Sequence, residues 1–147
     1  MDRSSVFPDQ RTSNRHRQQF IDFQKSRHYT AGVTCVACHD PHTGPLAARE
    51  QLRKPLATAC NACHAQQAAQ FTRHTGHQRW QLTCAGCHTP RVIADGTIST
   101  HTFRTLSPAD SLRYGEASMA NSCTYKCHTS QNATWALRAL TEKGIGR

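Results

Sequence analysis

Eight cysteines fall into four pairs, and each pair is closed at once by a histidine: "CVACH" at 35–39, "CNACH" at 60–64, "CAGCH" at 84–88 and "CTYKCH" at 123–128. No cysteine is left over, so the chemistry of this spacing constrains the fold more than any periodicity does. Such a set suits a disulfide framework, zinc knuckles or c-type haem attachment. A disulfide scaffold has no use for a histidine beside each cysteine, and two cysteines two apart are poor partners for a stable bridge. Zinc knuckles close a tetrahedral site from two pairs, in which the adjacent histidine is optional and awkwardly placed as a ligand. Haem attachment uses every residue. The two thiols add across the porphyrin vinyl groups as thioethers, and the short link holds the following histidine beneath the iron. The fourth hook has three intervening residues instead of two, and a slightly longer link still reaches both vinyls. The expected cofactors are therefore four haem c, attached at Cys35, Cys38, Cys60, Cys63, Cys84, Cys87, Cys123 and Cys127. His39, His64, His88 and His128 are the expected proximal iron ligands.

The chain has 147 residues, of which 37% are hydrophobic and 7% aromatic, so protein alone buries only a thin core. The expected fold class is mostly irregular with short α-helices and little β, organised around four covalently attached haems whose links drive folding. With about 37 residues for each haem, close haem packing follows.

Six further histidines remain, and histidine is the natural second axial ligand for haem iron. An internal repeat selects among them. Six residues separate His28 from Cys35 in "HYTAGVTCVACH", and six separate His77 from Cys84 in "HQRWQLTCAGCH". Each segment is followed by a second hook, which suggests two diheme modules, about 28–72 and 73–147, behind a polar basic arm at 1–27. The repeat marks His28 and His77 as equivalent distal ligands. His42, in "CHDPH", stands too near His39 to reach the same iron and is expected on a neighbouring haem. Arg91 occupies the corresponding place in "CHTPR", as a propionate partner or an exposed arginine, and His101 is the replacement ligand there. His16 and His74 are held in reserve. Met119 is expected to pack rather than ligate, which leaves four bis-histidine irons of low potential.

Residues 46–72, rich in Ala, Leu, Gln and Arg, read as helix interrupted at Pro55, with the second hook on its latter part. "LSPADSLRYGEASMA" offers Ser107 as N-cap, Pro108 at the first helical position and Asp110 to close a capping box. "NATWALRALTEKG" reads as a terminal helix capped by Asn132 and stopped near Gly144, with Trp135 and Leu137 packing inward. Asn132 also begins a glycosylation triplet, for which the helix cap is the preferred explanation. "TPRVIADGTISTHTF" gives a short hairpin around Asp95 and Gly96.

With "RHYTAGVTCVACHDPH" and the hooks that follow, the chain resembles the multihaem c-type cytochromes over about residues 28–128. These include periplasmic and outer-membrane electron conduits and polymerising cytochromes that form extracellular nanowires. The resemblance implies outer-sphere electron transfer along closely packed haems, with no catalytic residue and with redox proteins or extracellular acceptors as partners. Two forms are compatible with it: a soluble carrier, and the repeating subunit of a filament. In a filament the arm and its His16 reach a neighbouring copy. The rival is a small multihaem reductase of nitrite or hydroxylamine, which needs an iron with an open distal position.

A net charge of +9 invites nucleic-acid binding. Haem propionates change that sum: with four haems the protein carries about +5 oxidised and about +1 reduced, and much arginine is engaged in neutralising them. Nucleic acid is therefore not an expected partner. Residues 1–27 hold no hydrophobic run, and no later segment is apolar enough to span a bilayer. Haem attachment at such hooks takes place outside the cytoplasm, so an exported, periplasmic or extracellular protein is expected, with an export signal in the gene product that this chain lacks.

Overall fold

A fully buried carboxylate ties the beginning of the chain to its body: Asp22 Oδ1 accepts the Ser13 N–H at 3.0 Å and the Ser13 hydroxyl at 2.6 Å. The computed structural model of the chain describes residues 5–15, 18–42, 51–93 and 96–145. Residues 5–15 form a tight turn in which Val6 bridges Ser13 and Asp9 accepts the backbone N–H groups of Arg11 and Thr12. Phe7 of this turn packs against the central hydrophobic cluster. The expected arm is thus drawn onto the body over residues 5–15, because its few apolar and hydroxyl side chains find partners there.

Two short helices follow, α1 (Gln19–Gln24) and α2 (Arg27–Thr30). Ser26 separates them as an N-cap whose hydroxyl accepts the Tyr29 N–H at 3.2 Å. The first hook is a single helical turn, α3 (Cys35–Cys38), begun by an extended Thr34. Residues 43–50, and with them part of the helix expected over 46–72, lie outside the described residues. The rest of that helix begins later than its composition suggests. Residues 53–63 are a succession of turns, in which Thr58 N–H reaches Pro55 O at 2.9 Å and Asn61 N–H reaches Thr58 O at 3.1 Å. Proline removes a donor and restrains the residue before it, so a favourable Ala and Gln content does not carry helix through this stretch. The second hook therefore sits in turns ahead of α4 (Ala65–Ala69) and α5 (Phe71–Thr75). Gly76 ends α5 with a φ of +72°, where a side chain would be strained.

The third hook is helical again, α6 (Cys84–His88). It runs into the hairpin expected from the sequence, β1 (Arg91–Ile93) paired antiparallel with β2 (Ile98–Ser99). Asp95 of its turn is outside the described residues; Gly96 has a φ of +79°, and its carbonyl accepts the Lys126 ammonium at 2.6 Å. The central cluster consists of Val92, Ile93, Leu106, Met119 and Ala120, joined by Phe7, Ile98 and Tyr114. Met119 is a packing residue there.

Helix α7 (Pro108–Tyr114) starts as expected, with Ser107 Oγ accepting the Ala109 N–H at 3.1 Å. Helix α8 (Ala133–Glu142) is capped by Asn132, whose Oδ1 accepts the Trp135 N–H at 2.9 Å, and Gly144 follows its end with φ of +62°. α8 packs on α7 through Ala133 and Ala136, both buried. Leu137, expected to pack inward, is exposed: the buried stripe runs i, i+3 along the alanines and leaves it on the rim. Among the described residues no helix is long and apolar enough to cross a membrane.

Candidate functional site

Hydrogen bonds from the hook histidine N–H to the first cysteine's carbonyl shape the first, second and fourth hooks, and the third is itself the helix α6. In the first two hooks the bond closes a five-residue turn, His39 N–H to Cys35 O at 2.9 Å and His64 N–H to Cys60 O at 3.0 Å. In the fourth, His128 N–H reaches Cys123 O at 2.9 Å across one more residue. The extra residue is absorbed by widening the turn from an α-type to a π-type bond, and the order thiol, thiol, imidazole is kept. Asn121 starts this turn, its Oδ1 accepting the N–H groups of Cys123 at 3.0 Å and Thr124 at 2.9 Å. Ser122 joins the fourth hook to the third by donating its hydroxyl to Cys87 O at 3.0 Å.

None of the eight cysteines is paired in a disulfide. Burial pushes the Cys38, Cys60 and Cys123 thiols up and takes Cys87 up to about 11, with neighbouring thiols adding to each shift. Thiols so placed are not activated as nucleophiles. Nor does any group of three or more His, Cys, Asp or Glu side chains converge on a metal-sized point among the described residues. The interactions behind those shifts run between consecutive hooks: Cys38 with Cys63, Cys60 with Cys84 through a hydrogen bond, and Cys87 with Cys123.

Each hook histidine faces another histidine ring. His64 faces His28 at 5.8 Å between centroids, His39 faces His101 at 6.2 Å, His88 faces His74 at 6.1 Å and His128 faces His77 at 5.9 Å. The interplanar angles of these four pairs are 71°, 26°, 3° and 45°. A nearly constant separation with a free angle is not the mark of rings packing on each other. A spacer between the rings would fix the distance and leave the rotation free in this way. Two imidazoles bound through nitrogen at about 2 Å on opposite sides of one metal ion bring their centroids to about 6 Å.

The outer nitrogens fit the same purpose. His77 Nδ1 pairs with Thr75 O at 2.8 Å, and His101 Nδ1 pairs with Ser99 O at 3.3 Å. Donation of the Nδ1 proton to a carbonyl leaves the Nε2 lone pair for a metal. Burial lowers the pKa of His28, His88 and His101, helped in each by the facing histidine, and so favours the neutral imidazole that a metal binds. His28 Nδ1 is buried without a hydrogen-bond partner. The residues present therefore fit a haem at each hook.

Of the histidines singled out in the sequence, His28, His77 and His101 each face a hook histidine, and so does His74, which ranked there only as a reserve. His28 and His77 hold equivalent places, each opposite the second hook of its module. His101 faces the first hook, so this pairing crosses the division expected near residue 72. His42 is exposed, with its N–H on Asp40 Oδ1 at 3.0 Å, and belongs to none of the four pairs. His16 lies outside the described residues. Arg91 opens β1 and is exposed. Sequence reasoning passed over Asn121 and Ser122, whose one signal was their position just ahead of Cys123.

Residues 28–69 match the family model described as the doubled CXXCH motif. The chain is also similar to a solved structure described as the outer cell wall cytochrome OcwA, with a TM-score of 0.73 and 18% sequence identity over 96% of this chain and 40% of that one. The fold is that of a multihaem c-type cytochrome. The chain spans well under half the length of that structure. No curated protein matches its sequence. Its doubled hooks make covalently bound haem c its cofactor.

Proposed function

We propose that this cytochrome transfers electrons through four c-type haems, each held between two histidines: His64 with His28, His39 with His101, His88 with His74, and His128 with His77. The observation that carries the proposal is that four hook histidines face four different histidines at 5.8 to 6.2 Å. Bound haem supplies a one-electron couple, and double imidazole ligation sets it at low potential. The chain's part is to hold the imidazoles neutral, to keep consecutive hooks in contact and to exclude an open distal position. Cys60 and Cys84, in hydrogen-bond contact, bring the second and third sites together. A reductase needs one hook histidine without a partner, and each has one. The carrier reading is therefore favoured over the enzyme.

Export to the periplasm or cell exterior and redox partners at an exposed haem edge belong to the same proposal. A filament is a weaker extension of it. The four pairs are completed within one chain, so no neighbouring copy is required to supply a ligand. Intact mass of protein matured with a haem-attachment system, together with electron paramagnetic resonance of the oxidised state, tests the main reading. Four attached haems, all low-spin, are expected; three haems or a high-spin signal overturns it. Electron microscopy showing only discrete particles removes the filament.

A further inference from the structure

Phe103 has a φ of +52°, in the left-handed region that an aromatic residue rarely adopts. It stands outside the central hydrophobic cluster and is only half-buried, so apolar packing does not account for the conformation. Its surroundings do. The Phe103 ring lies 4.4 Å from that of His28 and 6.0 Å from that of His101, and Phe23 closes its far side at 6.2 Å. The ring of one residue thus touches two of the four imidazole pairs. Strained backbone of this kind persists where the surroundings over-determine it, most often at functional sites.

We infer that Phe103 is a positioning residue that sets the orientation of two imidazole pairs at once, His28 with His64 and His39 with His101. The left-handed φ is what lets one ring face both histidines. The His77–His128 pair is held separately: Trp135 packs on His128 with centroids 4.8 Å apart. The inference rests on the four-haem reading, and that reading fails in the wild type, by fewer than four low-spin signals. Failure of the inference shows only in the variants.

The test is electron paramagnetic resonance of the oxidised holoprotein, because low-spin signals report the mutual angle of the two axial imidazoles, which a purely structural loss of stability leaves alone. Phe103→Ala is expected to shift two of the four signals and to spare the one that Trp135→Phe moves. Phe103→Tyr, which keeps the ring, is expected to retain the wild-type spectrum. If Phe103→Ala yields no holoprotein, Phe103→Leu keeps most of the volume without the aromatic plane, and the same two shifts are expected. An unchanged spectrum in either variant overturns the inference, and so does an equal shift of all four signals.

Discussion

His74 and His42 separate what adjacency encodes from what folding supplies. Both are histidines close to a hook, yet His74 faces His88 at 6.1 Å while His42 is exposed beside Asp40. The expected outcome is that His74→Ala converts one haem to a high-spin or water-ligated form that binds carbon monoxide, and that His42→Ala leaves the absorption spectrum unchanged. His74→Met, which exchanges imidazole for thioether, raises one midpoint potential while the other three stay close to wild type, read by spectroelectrochemical titration. The hook histidines were legible in the sequence because attachment chemistry is local: a thiol and the imidazole that follows it cannot be far apart. The histidines that face them were legible where a repeat pointed to them, as with His28 and His77, or where the repeat left a place to fill, as with His101. No rule of spacing leads from His39 to His101, because the hairpin and the turn at Phe103 bring them together.

At the scale of elements, capping residues were read correctly and long propensities were not. Asn132 and Ser107 occupy the N-caps of α8 and α7 because a short polar side chain satisfies a backbone N–H that the helix leaves open. Such signals survive because they are decided within three residues. The helix expected through Pro55 failed because the second hook and the proline impose turns that local composition does not override. Two predictions belong here. Asn132→Ala removes the acceptor for the Trp135 N–H and is expected to lower stability by about 1 kcal/mol, seen as a reduced denaturation midpoint with haem content unchanged. Asn121→Ala withdraws the acceptor from two N–H groups that open the fourth hook, and leaves Ser111 and Thr124 without its amide donor. Its expected cost is about 1–3 kcal/mol. It is also expected to lower haem occupancy at Cys123 and Cys127 alone, measured by peptide mass mapping of the attached haem.

For the whole molecule, the decisive quantity is how little of the interior is protein. The central cluster of Val92, Ile93, Leu106, Met119 and Ala120 sits between the third and fourth hooks. Elsewhere Val36, Leu56, Trp80 and Tyr125 are exposed although they lie within or close to hooks. Apolar side chains left beside every attachment point are what four flat, apolar macrocycles would cover. The hydrophobic contribution of such a chain is then supplied largely by its cofactors, and folding is coupled to attachment. Replacing the eight cysteines by serine is accordingly expected to give a chain with little fixed tertiary structure, losing near-ultraviolet dichroism and amide protection across the molecule. Ile93→Ala, by contrast, opens a cavity in a cluster that protein builds alone and is expected to cost about 2–5 kcal/mol while all four haems stay attached. If the cysteine-free chain instead kept protection at Ile93 and Met119, the protein core would be self-sufficient, and the haems would be passengers on a fold rather than its framework.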